Sequence, residues 1–120
     1  MSFSSFVEKA ILQDKRNIFT KYDGNLDIVP DELKSFYKNY NPTDVEISKD
    51  GVAIRLFSAE NLPSLQEEYA YLKVQFVFAT YNGDPIFLHD GHVYTCPHGV
   101  KSTKWQLLSD NIQKFFSSWF

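Results

Sequence analysis

The chain has 120 residues, a hydrophobic content of 43% and a formal net charge of −3 at pH 7. This length predicts a single domain, residues 1–120, with enough buried surface for a core that needs no disulfides or metal. The acidic balance and the scattered Lys and Arg residues exclude the basic face on which nucleic-acid binding depends.

The single cysteine, Cys96, excludes an internal disulfide framework and is typical of a reducing compartment. The N-terminal residues lack the basic start and apolar core of a signal peptide. No run approaches the roughly 18 apolar residues of a membrane span. We therefore expect a cytoplasmic protein that does not enter a membrane.

The first half of the chain predicts two helices and a hairpin. Apolar residues at helical spacing predict a helix over 4–14, whereas 17–22 has no clear pattern. Pro30, followed by two acidic residues, predicts the start of a second helix, which the Asn41-Pro42 pair ends. Two apolar runs on either side of an Asp-Gly pair predict a hairpin over 45–57.

The strongest local signal lies between Phe76 and Thr95, where three apolar and aromatic runs are separated by Asn82-Gly83 and Asp90-Gly91. Both pairs allow the positive φ that two-residue hairpins need. The predicted antiparallel strands cover about 74–80, 85–89 and 92–96.

The second of these hairpins predicts which side chains share a face. With Asp90-Gly91 as the loop, period-two alternation places Phe87, His89, His92 and Tyr94 on one face. Ile86, Leu88 and Val93 fall on the other. We expect the aliphatic face to pack on helices, and the aromatic and histidine face to meet solvent or a partner.

The remaining segments complete the predicted order. Residues 58–72 predict a loop with a short helix, and 97–106 predict a second loop. Apolar residues from Ile112 to Trp119 recur at helical spacing and predict a last helix, capped by Ser109 or Asp110. The class predicted is α+β, with a mostly antiparallel sheet of about five strands and helices packed on one side.

Four residues with zinc-binding side chains lie close together in sequence: His89, His92, Cys96 and His98. Cys96 lies about 13 Å along the strand from His92, and a structural zinc site needs four ligands. A lone thiol beside a proline is typical of a small buried hydrophobe. We therefore predict no metal, no cofactor and no catalytic residue, and a small metal-dependent or thiol enzyme using these four residues is the least favoured alternative.

A surplus of aromatic and acidic residues is the remaining feature that indicates a function. Aromatic side chains anchor protein interfaces, and carboxylates steer a basic partner toward them. The alternative is that these residues are solvated charges and half-buried rings. The candidate partner-binding residues are Glu67, Glu68, Tyr81, Asp84, Asp90, Tyr94 and Trp105.

Two segments resemble the SUKH superfamily. Residues 28–37, Ile-Val-Pro-Asp-Glu-Leu-Lys-Ser-Phe-Tyr, look like its proline-started helix, and residues 78–87 are similar to its central strand–Gly-Asp–strand segment. The end of the chain also fits, through Gly91-His92-Val93-Tyr94, His98-Gly99, Trp105 and the helix at 109–119. The resemblance covers roughly 28–119 and rests on structural motifs.

The resemblance implies a SUKH-like α+β domain without enzymatic activity. Bacterial members are commonly immunity proteins, which bind a cognate toxin, often a nuclease, and block it. Other members, which include the yeast cell-wall assembly regulator, serve as interaction or regulatory modules. We therefore expect an immunity protein, with a regulatory interaction module as the alternative. Binding faces in the superfamily vary with the toxin, so the resemblance assigns no site residue.

Overall fold

The computed structural model describes residues 3–97 and 104–118. In these ranges the helices are α1 (Phe3–Gln13), α2 (Asp31–Tyr40), α3 (Leu62–Glu68) and α4 (Ile112–Ser118). The strands are β1 (Ile18–Thr20), β2 (Asn41–Thr43), β3 (Val45–Lys49), β4 (Val52–Leu56), β5 (Phe76–Tyr81), β6 (Asp84–His89), β7 (His92–Thr95) and β8 (Gln106–Ser109). None of these helices is long and apolar enough to cross a bilayer.

The main sheet is an antiparallel meander in which β3 to β8 pair in sequence order. A separate two-stranded sheet joins β1 to β2. The predicted α+β class is therefore confirmed, with six strands in the main sheet where the sequence indicated about five. The added strand, β8, lies partly in the segment expected to be a loop.

The three hairpins of the main sheet turn where the sequence places Asp-Gly or Asn-Gly. Asp50, Asn82 and Asp90 have φ of 53°, 48° and 51°, and the glycine after each has φ between 80° and 90°. Two consecutive positive φ values are the signature of the turn whose twist matches the flanking strands. The predicted pairing of β6 with β7 is confirmed residue by residue, including Phe87 with Tyr94.

The ends of the helices follow the sequence in one case and depart from it in another. Pro30 precedes α2 with φ −58° and ψ 149°, as the proline-started helix predicts. The last helix was expected to be capped by Ser109 or Asp110, but the Oδ1 atom of Asn111 accepts the hydrogen bond from the Lys114 backbone N–H at 2.8 Å. Asn is as good a cap as Asp or Ser, so composition alone did not distinguish them.

The core between the helices and the sheet is built from stacked and edge-on phenylalanine rings. Phe116 of α4 lies 4.6 Å from Phe6 of α1 and 5.0 Å from Phe36 of α2, between ring centroids. Phe78 of β5 contacts the neighbouring Phe115 edge-on at 5.7 Å. Such pairs add roughly 0.5–1.5 kcal/mol each beyond the burial of their area. Three helices are thereby fixed against one face of the sheet.

The short helix α3 lies along β5 where β4 has ended. The backbone N–H of Val77 donates to Oε1 of Gln66 at 2.8 Å, and Nε2 of Gln66 donates to the Val77 carbonyl at 2.6 Å. One side-chain amide thus takes the place of a neighbouring strand. Since buried backbone groups need partners, this pair of bonds fixes α3 against the sheet.

Candidate functional site

The predicted aromatic face is covered by a tryptophan. Phe87 was expected to meet solvent or a partner, but its side chain is 0% exposed. The ring of Trp105 lies edge-on to it, with 5.0 Å between centroids, and Tyr94 stacks on it at 5.9 Å. Trp105 reaches this position because the next residue, Gln106, begins β8 and pairs with Thr95 of β7. The expectation for Phe87 was therefore wrong.

The outer layer of this face remains accessible. Tyr94 and Trp105 are half-buried, with 5.4 Å between their ring centroids. His92 is exposed, and its ring centroid lies 6.3 Å from that of Tyr94. We call His92, Tyr94 and Trp105 the aromatic patch. Each ring is supported from behind or from the side, so the patch is held in place before any partner arrives.

The hairpin turn next to the patch is fixed by side chains. The backbone N–H of Asp90 donates to Oε1 of Gln75 at 2.7 Å, and Nε2 of Gln75 donates to Oδ1 of Asp90 at 3.0 Å. Nδ1 of His92 lies 2.8 Å from the Asp110 carbonyl oxygen. These bonds orient the exposed Asp90 carboxylate and the His92 ring beside Tyr94.

His89 lies under Trp105 with 4.8 Å between ring centroids. Its Nε2 atom is 3.8 Å from Oδ2 of Asp90. Its Nδ1 atom is buried and has no hydrogen-bond partner in the part of the chain that the structure describes. The ring is therefore held by aromatic packing, and it supports the patch from the side.

The predicted partner-binding residues fall into two groups. Asp90, Tyr94 and Trp105 belong to the aromatic patch or its adjoining turn. Tyr81 and Asp84 pair with each other across the other turn of β6, five residues from His89. At a rise of about 3.3 Å per residue, the two turns lie roughly 17 Å apart along β6.

Glu67 and Glu68 are exposed at the end of α3, toward the turn that holds Asp84. The hydroxyl of Tyr69 donates to the Gly83 carbonyl of this turn at 2.9 Å. Burial, and then the charge of Glu68, raises the pKa of Tyr69 to about 12. Glu68 and Asp84 thus act on a hydrogen-bonded tyrosine that is separate from the aromatic patch.

Among the described residues, the histidine and cysteine side chains do not form a metal-binding cluster. Within residues 3–97 and 104–118, no three His, Cys, Asp or Glu side chains come close enough to hold an ion. His98 lies outside the described residues. Cys96 is 2% exposed, and burial, with the nearby Asp84 charge, raises the pKa of its thiol. A reactive cysteine needs the opposite, a lowered pKa and access to solvent.

A polar depression between the end of α1 and β3 was not predicted. Its volume is about 470 Å³, and its lining includes Asp14, Arg16, Asp44 and Glu46. Arg16 hydrogen bonds to Asp14 with Nη2–Oδ2 at 2.8 Å, and these bonds lower the pKa of Asp14 to about 2. The two side chains neutralise each other in solvent, so neither is available as a general acid or base.

Comparisons with protein-family models, with curated proteins and with solved structures find no match for this chain. The resemblance to the SUKH superfamily therefore stays a prediction from the residues.

Proposed function

We propose that this chain is an immunity-type protein that binds a cognate bacterial protein toxin, such as a nuclease, and blocks it without catalysing a reaction. The proposal places the protein in the cytoplasm, in keeping with its single cysteine. It combines the implication of the SUKH resemblance with the aromatic patch, a surface suited to protein recognition.

The observation that supports the proposal most directly is the position of Trp105. One side of its ring packs on Phe87 and His89, and the residue is only half-buried. Trp and Tyr are enriched among the residues that dominate binding energies. Because Trp105 and Tyr94 are already packed, binding requires little further ordering of their side chains.

The charge of the protein supports a basic partner. The net charge is −3, and Asp90 lies exposed beside the patch. Complementary charge accelerates association and selects the partner more than it adds affinity. Proteins that bind and cut nucleic acids are commonly basic, since they neutralise phosphates, so a nuclease toxin fits this surface.

The thiol-enzyme alternative has less support than a binding function. The single cysteine of the protein, Cys96, is buried, and burial raises the pKa of its thiol. A binding protein needs no such group to be reactive.

The test is binding to, and protection from, the toxin encoded by the neighbouring gene. The wild-type protein is expected to form a stable complex and to protect cells on co-expression. Tyr94→Ala removes an anchor of the patch and is expected to raise Kd at least about tenfold, a loss of about 1.4 kcal/mol. Tyr71→Ala is the matched control, because Tyr71 is also partly exposed but lies after α3.

Two results would contradict the proposal. One is the absence of both complex and protection. The other is an equal Kd for wild-type, Tyr94→Ala and Tyr71→Ala proteins, which would show that the aromatic patch does not contact the toxin. Binding to a host protein in place of the toxin would favour the regulatory-module alternative.

A further inference from the structure

The two edges of the six-stranded sheet are treated differently by the rest of the chain. At the β3 edge, the Ser48 N–H donates to Oε1 of Gln13 at 2.7 Å, and Nε2 of Gln13 donates to the Ser48 carbonyl at 2.7 Å. The Glu46 N–H donates to Oδ1 of Asn17 at 3.0 Å. Side chains from the end of α1 and the residues after it therefore occupy the positions that another strand would take.

On the opposite edge, β8, the described residues provide no such cover. Within residues 3–97 and 104–118, the backbone of Gln106–Ser109 hydrogen bonds to β7 and to no other element. An edge strand of this kind presents unpaired N–H and C=O groups, and proteins ordinarily protect it with charges, prolines or a covering segment. Strand β8 contains neither a charge nor a proline.

The side chains of β8 also suit an interface. Leu107 is 52% exposed and lies beside Tyr94, its partner in β7. Leu108 lies between two residues that pair with β7 and has no partner of its own, so the strand carries a bulge. A bulge increases the local twist of a strand, but it does not satisfy the outward backbone groups.

We propose that β8 pairs with β8 of a second copy of this chain, antiparallel and centred on Leu107, so that two sheets join across a two-fold axis. The charges that flank the strand favour this occupant. Lys104 lies three residues before Leu107, and Asp110 lies three residues after it. In the antiparallel register that sets Leu107 opposite its copy, Lys104 of each chain faces Asp110 of the other.

A two-fold interface requires such self-complementarity, because the same surface serves on both subunits. Both charges already have contacts within the chain: Asp110 pairs with Lys114 at 3.4 Å in solvent, and Lys104 also has a partner. Exposed pairs of this kind contribute little, so the existing contacts do not prevent the cross-strand contact, and that contact sets the register of the two strands more than it strengthens the dimer. The copy also places its own Leu107 against the exposed Leu107 side chain, which shields both from water.

The expected association is weak. A four-residue strand covers much less than the roughly 1,200 Å² of a standard interface, and only Leu107 and Leu108 supply apolar area near the axis. The dimer is therefore expected to depend on protein concentration. The dimer is measured on the protein alone, without the toxin, so its failure leaves the proposed immunity function untouched.

Sedimentation equilibrium over about a hundredfold range of concentration tests the proposal. The wild-type protein is expected to shift from monomer to dimer, and Leu107→Lys is expected to stay monomeric. Leu12→Lys is the matched control, because Leu12 is 85% exposed on α1, away from β8. It should dimerise like the wild type. Far-UV circular dichroism checks that both variants are folded.

Hydrogen exchange and a charge reversal identify the surface. Amides of Gln106–Ser109 should exchange more slowly at high protein concentration. Lys104→Glu should weaken the dimer, and adding Asp110→Lys should restore it. A wild-type monomer at every concentration, equal dimerisation of the two leucine variants, or protection on another element would overturn the proposal. Protection of β8 only after addition of the toxin would overturn it too, in favour of a strand from the partner.

Discussion

Replacing Phe87 by alanine tests the central feature of the candidate site. If the face of β6 and β7 opposite the helices were open to solvent, as alternation alone predicts, the change would remove an exposed ring. The structure instead encloses Phe87 completely, with Trp105 edge-on at 5.0 Å and Tyr94 stacked at 5.9 Å. The two possibilities predict very different losses of stability.

The expected loss is about 3–5 kcal/mol, because Phe→Ala in a packed core removes the transfer energy of the ring and leaves a cavity. That is a large part of the roughly 5–15 kcal/mol by which a domain of this kind is stable. The Phe87–Trp105 contact itself should contribute about 0.5–1.5 kcal/mol. A double-mutant cycle isolates this coupling, with Phe87→Leu in place of the alanine variant to keep the proteins folded.

Urea denaturation followed by far-UV circular dichroism measures these losses, since fluorescence would change with the Trp105 substitution itself. Leu107→Ala is the control, because Leu107 lies on the same face but is 52% exposed. It should change stability by no more than about 0.5 kcal/mol. An equally small effect of Phe87→Ala would refute the enclosure of the ring by Trp105.

Three further predictions follow from other contacts. Gln66→Leu leaves the Val77 N–H and C=O without partners and should lower the free energy of unfolding by about 1–3 kcal/mol in urea denaturation. The Val77 amide should also exchange faster. An unchanged stability would contradict the role of Gln66 in fixing α3 against β5. Tyr69→Phe should cost about 1 kcal/mol near neutral pH by removing the bond to Gly83.

Because the folded state raises the Tyr69 pKa from 10.0 to about 12, its contribution is complete below pH 10 and is lost as the pH rises through about 12. Thermal melts of the wild-type and Tyr69→Phe proteins should converge and then cross over that range, because ionising the buried tyrosine costs more than the bond contributed. A constant difference would contradict the raised pKa. The Cys96 thiol should react with a disulfide reagent only after denaturation, and rapid labelling of the native protein would contradict its burial.

The hairpins were predictable because their signals are local. A two-residue turn with both φ values positive tolerates few residues other than Asn, Asp and Gly. The sequence supplies such a pair at each of the three turns, and the pairing of β6 with β7 follows from the position of Asp90-Gly91. Once the turn is fixed, the side-chain period of two leaves only one assignment of faces.

The short strands were not predictable for the opposite reason. Strands β1, β2 and β8 have three, three and four residues, too few for an alternating pattern. Strands β1 and β2 pair across more than 20 residues, and α2 lies between them. Their formation depends on contacts between distant segments, which a local pattern does not describe.

The error about Phe87 and the missed strand β8 have one cause. Alternation along β6 and β7 determines that Phe87, His89 and Tyr94 share a face, but it does not reveal what covers that face. Pairing of β8 with β7 supplies the cover, because it brings Trp105 over Phe87. Trp105 lies directly before β8, and so it is not simply a residue of the polar loop that the sequence predicts over 97–106. It is a ring fixed on one side and open on the other, which is the arrangement that an interface anchor requires.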